Sequence, residues 1–273
     1  MPRLGVLGWP VAHSRSPAMQ NAALTHMGLN DWHYQRLPVP PELFDETVRG
    51  LGGAGYVGAN VTIPHKEAAL ALADSAGDAA RRIGAANTLS FRPDGTIAAE
   101  NTDAPGLIAA LGRPVAGLRA QVLGAGGSAR AVVWALLDAG AAEVFVWNRT
   151  IERAERLAEA LGAHAVNAPQ KADLLVNCTS VGLHVERSAT ESCGLNQLGL
   201  TGDQIGEYSH VADLVYRSPS TPLLAAAHAR GARTTNGLEI LLAQGALSLA
   251  LWTGREPPLE VMREALHPEP APG

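Results

Sequence analysis

A short glycine-rich stretch decides the fold expected of this chain: Gly124-Ala125-Gly126-Gly127-Ser128-Ala129. It follows an apolar run at 120–123 that predicts a buried strand, and it opens a helical pattern at 128–139. In the spacing G-x-G-x-x-G/A, the glycines allow a tight turn and a close backbone approach to a pyrophosphate. An ordinary glycine-rich turn would share these letters, but the flanking strand and helix favour a dinucleotide site.

Strand and helix patterns alternate on both sides of this stretch, as is typical of a doubly wound parallel α/β sheet. We predict strands at 4–7, 33–37, 57–63, 143–147, 174–177 and 211–215, and a hairpin at 88–92 and 96–99. We predict helices at 17–27, 41–51, 67–73, 79–83, 103–111, 150–161, 223–229, 238–252 and 259–266. Ser16 is expected to cap the first helix and Gly28 to end it. Residues 183–210 are expected to form an irregular loop with at most a short helix, and the tail at 268–273 to be frayed.

The composition is that of a globular protein that binds small ligands. Hydrophobic residues make up 47% of the 273 positions and charged residues 17%, with a net charge of -5. Without a basic stripe, nucleic acid is not an expected partner, and the apolar run at 240–252 is too short for a membrane span. The two cysteines and nine histidines show no metal-ligand spacing, so no metal is expected. The apolar run before Pro10 is too short for a signal-peptide core, so the cytoplasm is the default location.

Lysine is scarce in this chain. Of 21 basic residues only Lys66 and Lys171 are lysines. Lysine can release its proton whereas arginine cannot, so a retained lysine is a candidate for proton transfer. Lys171 has the sequence context of a solvated loop residue, which leaves Lys66 as the stronger candidate.

The strand after the glycine-rich turn bears on which cofactor binds. An NAD site usually ends this strand with an acid, but here it ends in Trp147-Asn148-Arg149-Thr150. Arg149 and Arg153 are four residues apart at the start of a helix, where two guanidinium groups suit a 2′-phosphate. Arg153 alone could be a solvated helix charge, whereas Arg149 at the strand end is harder to explain that way. NADP is therefore the predicted cofactor.

Polar clusters interrupt the apolar pattern elsewhere, and most of their side chains are hydroxyls and amides. Such a set suits a small polyhydroxylated molecule, because each hydroxyl of the ligand needs a donor and an acceptor. A lysine near an aspartate can move the proton that a carbinol exchanges during hydride transfer. The clusters are Ser14-Arg15-Ser16-Pro17, Asn60 to Lys66, Asn87-Thr88, Asn101-Thr102-Asp103 and Gln244.

With these clusters, the chain resembles the shikimate dehydrogenase family. The resemblance also rests on Gly124 to Ala129, Asn148-Arg149-Thr150 with Arg153, Asn177-Cys178-Thr179-Ser180 with Gly182, Asp213 with Tyr216, and Gly237. One such motif alone would be weak, whereas the ordered set covers nearly the whole chain. The resemblance implies reversible, NADPH-dependent reduction of 3-dehydroshikimate to shikimate, a step of aromatic amino-acid biosynthesis.

The resemblance also implies domains and residue roles. A substrate-binding catalytic domain would span 1–103 and 238–273, and a Rossmann-type NADP domain 104–237, with a cleft between them. Lys66 and Asp103 would form the catalytic pair, and the residues implied to bind shikimate are Ser14, Ser16, Asn60, Thr62, Asn87, Tyr216 and Gln244. Those implied to bind NADP are Gly124, Gly126, Gly127, Ser128, Ala129, Asn148, Arg149, Thr150, Arg153, Thr179, Leu214 and Gly237. At position 240 the family usually has methionine near the nicotinamide, and Ile240 is stiffer there.

Structural explanations compete with several of these roles. Ser16 and Asp103 are plausible helix caps, Asn87 could satisfy backbone in a buried turn, and Gln244 could be a core amide. At the level of function, the rivals are a quinate or dual quinate/shikimate dehydrogenase and a non-catalytic sensor of NADP or a shikimate-like ligand. The acid-free strand end disfavours the first, and the Lys66–Asp103 pair disfavours the second. Monomer and homodimer are both compatible with the sequence.

Overall fold

The computed structural model describes residues 1–182, 191–216 and 220–267, with side chains given everywhere in these ranges except at 191–193. The chain divides into two compact units. We call Met1–Thr102 with Leu242–Gly273 the terminal unit, and Asp103–Leu241 the central unit. The segment 183–190 of the predicted loop and the predicted frayed tail at 268–273 lie outside the described residues.

The terminal unit is built on a mixed six-stranded sheet of order β2-β1-β3-β5-β6-β4. The strands β1 to β3 are parallel, β5 is antiparallel to both β3 and β6, and β4 is parallel to β6. Its strands are β1 (Arg3–Gly8), β2 (His33–Pro38), β3 (Tyr56–Val61), β4 (Ser75–Ala76), β5 (Thr88–Phe91) and β6 (Ile97–Glu100). Its helices are α1 (Ser16–His26), α2 (Phe44–Leu51), α3 (Lys66–Leu72), α4 (Asp78–Ile83) and α12 (Leu259–Leu266), with a 3-10 turn at Pro41–Leu43.

The core of the terminal unit forms where the α2 and α3 faces cover the sheet. Phe44 and Val48 from α2 pack with strand residues that include Leu7 and Leu89, and these four side chains are at most 1% exposed. Apolar residues recur along α2 with helical spacing, so burial of one stripe explains why this short segment is helical. Each fully buried Val, Leu or Phe contributes roughly 1.5–3 kcal/mol to folding.

The central unit contains a fully parallel six-stranded sheet of order β12-β11-β10-β7-β8-β9. Read from β9, this is the order 3-2-1-4-5-6 of a dinucleotide-binding sheet, which confirms the predicted Rossmann-type fold. Its strands are β7 (Arg119–Leu123), β8 (Glu143–Trp147), β9 (His164–Val166), β10 (Leu174–Asn177), β11 (His210–Asp213) and β12 (Arg233–Thr235). Its helices are α5 (Asp103–Leu111), α6 (Gly127–Asp138), α7 (Ile151–Leu161), α8 (Glu191–Gln197), α9 (Gly202–Ile205) and α10 (Pro222–Ala229), followed by α11 (Gly237–Thr253), which runs on into the terminal unit.

Several sequence expectations are wrong in detail. Ser16 does not cap α1: it is the first helical residue, Arg15 already has helical dihedral angles (φ -90°, ψ -6°), and no side chain caps the helix. The region 183–210 contains two helices, α8 and α9, rather than at most one. The strands β4, β9 and β12 were not predicted, because segments of two or three residues are too short to show an alternating pattern.

No helix within the described ranges is both long and apolar enough to span a membrane.

Candidate active site

The polar clusters of the terminal unit come together at one edge of its sheet. Parallel strands β1 and β3 both end at this edge, and the segments at 9–16 and 62–66 follow them. Antiparallel β5 begins there, since Thr88 pairs with Asn60, and β6 ends there, since Glu100 pairs with Thr88. The topology therefore brings five residues to a single edge, as expected of a ligand site in an α/β unit: Asn60 at the end of β3, Lys66 at the start of α3, and Ser14, Asn87 and Thr102 on connections.

Two arginines hold the Ser14–Ser16 turn. Arg36 donates from Nε and Nη2 to the Ser14 carbonyl oxygen, at 3.0 and 2.7 Å. Arg15 donates from Nη1 to the carbonyl of Leu266, the last residue of α12, at 2.9 Å. Ser14 Oγ accepts the Ser16 backbone N–H at 3.3 Å, and both serines are at most 4% exposed. The turn thus presents two hydroxyls in a fixed backbone with positive charge beside it, which suits a carboxylate.

Lys66 is the first residue of α3, and its backbone is fixed on both sides. His65 N donates to Thr62 O at 3.0 Å, and Lys66 O accepts from Ala86 N at 2.8 Å. The lysine side chain is only 8% exposed. Few lysines are buried to this degree without a functional or pairing reason, so the structure strengthens Lys66 as a chemical candidate.

The His65 ring, next to Lys66 in the sequence, is held by two contacts. It stacks on Phe44 with centroids 4.4 Å apart, and Nε2 lies 2.7 Å from the Val39 carbonyl oxygen. Because a carbonyl only accepts, Nε2 must carry the proton. Burial lowers the pKa of His65, which keeps the imidazole neutral near pH 7. His65 therefore packs against Phe44, and its orientation is fixed by the Val39 carbonyl.

Three predicted amides are linked by hydrogen bonds. Asn60 Nδ2 donates to the Asn87 carbonyl at 3.2 Å, and Asn87 Nδ2 donates to Gln244 Oε1 at 3.2 Å. Asn87 Oδ1 accepts the Thr102 backbone N–H at 2.7 Å, so its expected backbone role is real. All three side chains are at most 8% exposed. An amide that meets other amides can also present its remaining donor and acceptor capacity to a ligand.

Hydroxyls surround these amides; Thr88 and Thr102 lie in the predicted polar clusters, whereas Ser248 and Tyr34 were not predicted. Ser248, Thr88 and Thr102 lie within hydrogen-bonding distance of one another, and Tyr34 OH donates to Asn60 Oδ1 at 2.8 Å. One signal was available for Ser248: it follows Gln244 by four residues in an apolar helix, which places both on one face. Tyr34 gave no comparable signal within its strand.

Two further candidates belong to the central unit. Asp103 is the first residue of α5 and follows Thr102 directly, so it lies inside the first turn of that helix. Tyr216 lies three residues beyond the end of β11 and is partly buried.

The glycine-rich turn lies at the switch point of the central sheet. Gly124 follows β7 with φ of 107°, and a Cβ there would meet the Cys178 backbone at 3.3 Å. Gly126 is the extended N-cap residue of α6, and a Cβ there would meet nothing within 4 Å. Ala129 is fully buried against the sheet. A tight turn, an open approach to the start of α6 and close helix packing are what a bound pyrophosphate requires.

The predicted binding site for the 2′-phosphate follows the end of β8. Arg149 and Thr150 are exposed, and so is Arg153 in the first turn of α7. Asn148 Nδ2 donates to the Thr150 carbonyl at 2.8 Å, which shapes the turn, and Thr150 is the N-cap residue without using its side chain there. Two exposed guanidinium groups and a helix N-terminus fit the 2′-phosphate of NADP.

A buried carboxylate organises the neighbouring strand ends. Asp213 Oδ1 accepts from Asn177 Nδ2 at 2.9 Å and from Val215 N at 3.1 Å, and Oδ2 accepts from Thr221 Oγ1 at 2.6 Å. Burial raises the pKa of Asp213 to about 6, against the lowering effect of these hydrogen bonds. Asn177 Oδ1 in turn accepts from Thr179 N at 3.0 Å, so one network shapes the loops that carry Thr179 and Leu214.

Gly237 permits a close approach at the start of α11. A Cβ at this position would lie 2.6 Å from Leu214 O and 2.7 Å from Val215 O. Any larger residue would push the helix start away from these backbone atoms. Ile240, one turn later, is 7% exposed. No group of three or more potential metal ligands occurs in the part of the chain that the structure describes.

Comparison with known proteins gives a consistent result. Three family models match in order: the shikimate dehydrogenase substrate binding domain at residues 6–89, shikimate / quinate 5-dehydrogenase at 109–188, and the shikimate 5'-dehydrogenase C-terminal domain at 237–267. The shikimate dehydrogenase (NADP(+)) of Methanopyrus kandleri is 43% identical, over 96% of this chain and 94% of its own length. That of Geobacter metallireducens is 44% identical, over 95% and 94%.

A solved structure extends the likeness to three dimensions. The shikimate 5-dehydrogenase from Thermus thermophilus, in complex with NADP(H) and shikimate, superposes with a TM-score of 0.86 and 43% identity. The match covers 98% of this chain and 99% of that one. Sequence, domain order and fold therefore agree, and this chain belongs to the shikimate dehydrogenase family.

Proposed function

We propose that this protein is an NADP-dependent shikimate dehydrogenase that interconverts 3-dehydroshikimate and shikimate. The observation that carries the proposal is the edge of the terminal sheet, where a buried lysine lies among hydroxyls and amides. The family membership and the NADP(+)-dependent relatives support the same activity. No observation favours the quinate or sensor alternatives.

The substrate carboxylate is bound by the Ser14–Ser16 turn. Arg36 and Arg15 hold this turn through backbone carbonyls, so the serine hydroxyls do not have to be ordered when the anion arrives. Tyr216 is proposed as a further substrate-binding residue. The ring hydroxyls are bound by Asn60, Thr62, Asn87 and Gln244, whose side chains are neutral and so select for a polyol.

Lys66 and Asp103 form the catalytic pair at the reacting oxygen. When the carbinol is oxidised its hydroxyl must release a proton, and in the reverse direction the new alkoxide must receive one. The anchored start of α3 holds the lysine side chain at a defined place during this transfer. Lys66 also stabilises negative charge that develops on the oxygen, because its ammonium group is buried and so weakly screened by solvent.

The central unit binds NADP at the carboxyl edge of its sheet. The cofactor supplies or accepts the hydride when bound. Gly124, Gly126, Gly127, Ser128 and Ala129 form the turn that receives the pyrophosphate. Asn148, Arg149, Thr150 and Arg153 bind the 2′-phosphate. Thr179, Leu214 and Gly237 border the nicotinamide end, with Ile240 beside them in place of the usual methionine.

The proposal also includes the domain bounds, the location in the cell and the oligomeric state. The substrate-binding domain spans 1–103 and 238–273 and the NADP domain 104–237. The enzyme acts in the cytoplasm as a monomer or homodimer, with small molecules as its only substrates.

The proposal is tested by following reduced-nicotinamide absorbance with the purified protein. Shikimate and quinate are each crossed with NADP and NAD. We expect turnover largely confined to shikimate with NADP. Preferential turnover of quinate, or preference for NAD, would contradict the substrate and cofactor assignment respectively. Absence of turnover in all four pairings, with NADP binding intact, would contradict the proposed activity altogether.

A further inference from the structure

Three buried hydroxyls form a cluster inside the terminal unit, which we call the hydroxyl trio: Thr88, Thr102 and Ser248. Their oxygens are separated by 2.9 Å (Thr88–Ser248), 3.1 Å (Thr102–Ser248) and 3.2 Å (Thr88–Thr102). Their exposed fractions are 1%, 4% and 0%. Neutral hydroxyls buried this deeply lower stability unless they are mutually satisfied, so the trio has to be fully hydrogen-bonded to be tolerated.

The trio joins α11 to the sheet edge. Ser248 Oγ donates to the Gln244 carbonyl at 3.1 Å, one turn earlier in the helix. The same oxygen accepts from Asn60 Nδ2 at 2.8 Å, and Thr88 Oγ1 lies 3.2 Å from that nitrogen. The helical turn that carries Gln244 is therefore tied to the strand that carries Asn60.

Asn60 is engaged at both ends of its amide. Tyr34 OH donates to Oδ1 at 2.8 Å, while Nδ2 meets Ser248, Thr88 and the Asn87 carbonyl. An amide nitrogen has only two N–H bonds, and three acceptors already compete for them. Asn60 can offer a ligand no more than the second lone pair of its oxygen, because its N–H groups are already engaged by Ser248, Thr88 and the Asn87 carbonyl.

The orientation of the other two amides follows from a fixed donor. The Thr102 backbone N–H lies 2.7 Å from Asn87, and because a backbone N–H only donates, the atom facing it is Oδ1. Nδ2 of Asn87 then faces Gln244 at 3.2 Å, which requires Oε1 of Gln244 on that side. If either amide were reversed, two donors or two acceptors would face each other. The Nε2 end of Gln244 is consequently directed away from Asn87.

Resting on the proposed function, we propose that Thr88 and Ser248 are positioning residues of this enzyme. Thr88 Oγ1 donates to Asn87 Oδ1 at 3.1 Å, and Ser248 Oγ donates to the Gln244 carbonyl at 3.1 Å. Through these two contacts they support the orientation that the Thr102 N–H sets, in which Gln244 meets the substrate with its N–H donors. In this proposal they act through Asn87 and Gln244 and do not themselves contact the substrate or the cofactor. The site thereby recognises the oxygen opposite Gln244 as an acceptor, a property that a rotated amide would lose.

Two variants remove the trio hydroxyls and two others serve as controls. Thr88→Val keeps the shape of the side chain and removes its hydroxyl, whereas Thr88→Ser keeps the hydroxyl and removes a methyl group. Ser248→Ala removes the second hydroxyl. Thr253→Val is the matched control in the same helix, because Thr253 Oγ1 donates to the Leu249 carbonyl at 2.8 Å, one turn back, outside the trio.

The kinetic readout separates positioning from packing. We expect Thr88→Val and Ser248→Ala to raise the KM for shikimate roughly three- to tenfold, the effect of one neutral hydrogen bond, with the KM for NADP unchanged. Thr88→Ser and Thr253→Val should stay near the wild-type values. Equal effects of Thr88→Val and Thr88→Ser would mean that packing alone matters, and would overturn the proposal, as would an unchanged KM in both hydroxyl-deleted variants.

A spectroscopic readout tests the trio without relying on activity. In ¹⁵N spectra of the ligand-free protein, the side-chain amide resonances of Asn60, Asn87 and Gln244 should shift in Thr88→Val and Ser248→Ala but not in Thr253→Val. Unmoved amide resonances in both hydroxyl-deleted variants would overturn the inference. A wild-type protein that leaves shikimate unchanged would refute the proposed function, while the amide spectra would still decide whether the trio orients these side chains.

Discussion

Arg149 is the residue on which the choice of NADP depends most. It is exposed at the end of β8, where an NAD site would usually have an acid. Arg149→Ala removes charge-assisted hydrogen bonds to the 2′-phosphate, each contributing about 1.5–3 kcal/mol, so the KM for NADP should rise roughly 10- to 100-fold. The KM for NAD should change little. Arg156→Ala, an exposed arginine later on α7, is the control, and steady-state kinetics with both cofactors is the measurement.

His210 gives the fold a pH dependence that can be measured separately. Burial lowers its pKa to about 4, and Nε2 lies 2.9 Å from Thr235 Oγ1. Above pH 6.5 His210 is neutral in both the folded and the unfolded protein, and its full contribution to stability is present. Between pH 6.5 and 4 only the unfolded protein takes up the proton, so this contribution is lost as the pH falls towards 4. The loss amounts to at most about 3 kcal/mol. Asp213 acts in the opposite direction, because its raised pKa of about 6 favours the fold at acid pH.

The contribution of His210 is therefore measured as the difference in the free energy of unfolding between the wild type and His210→Gln. Denaturant unfolding of wild type and His210→Gln should show a gap in the free energy of unfolding that narrows from pH 7 to pH 4. His228→Gln, at an exposed histidine of α10, should run parallel to the wild type. A His210→Gln curve that also stays parallel would contradict the role assigned to burial.

At the scale of elements, the start of α11 tolerates only glycine. A Cβ in Gly237→Ala would lie 2.6 Å from a backbone oxygen, so the helix start has to move. We expect a lower melting temperature and weaker NADP binding, measured by thermal unfolding and titration. Gly50→Ala is the matched control: this glycine lies in α2 with nothing within 4 Å, and alanine should stabilise the helix by up to about 1 kcal/mol. A Gly237→Ala protein with wild-type melting and NADP affinity would contradict this account.

Elements with a strong local pattern could be predicted closely from the sequence. The predicted strands at 143–147 and 174–177 and the helix at 259–266 coincide with β8, β10 and α12. The short strands β4, β9 and β12 could not be predicted, because their pairing is defined by neighbouring strands and not by their own residues. The predicted cap of α1 was wrong because the helix begins at Ser16, one residue before Pro17, and Arg15 already has helical dihedral angles.

The parts of the candidate site that lie in a contiguous motif could be predicted from the sequence. The parts that depend on contacts between distant residues could not. The glycine turn and the lysine segment are contiguous in the sequence, so their chemistry can be recognised from spacing. Ser248 meets Thr88 from 160 residues away, and no local pattern links the two. Arg36 likewise reaches Ser14 only because β2 lies beside β1 in the sheet.

For the whole molecule, we expect each ligand to protect its own set of segments. In hydrogen exchange, NADP alone should protect the amides around 124–129 and 148–153 of the central unit, because ligand binding lowers the population of locally open states. Shikimate alone should protect those around 14–16 and 60–66 of the terminal unit. If NADP left the central segments unprotected, the assignment of that edge to the cofactor would be wrong.

We propose that this chain oxidises shikimate with NADP and that Lys66 takes part in the proton transfer. The most direct measurement is the turnover number of Lys66→Ala beside that of Lys171→Ala, with NADP binding and melting temperature recorded for both. We predict that Lys66→Ala loses about 100- to 10,000-fold in kcat, the range of one proton-transfer group, while exposed Lys171 can be replaced without effect. A folded, NADP-binding Lys66→Ala protein that turns over shikimate at the wild-type rate would contradict the account.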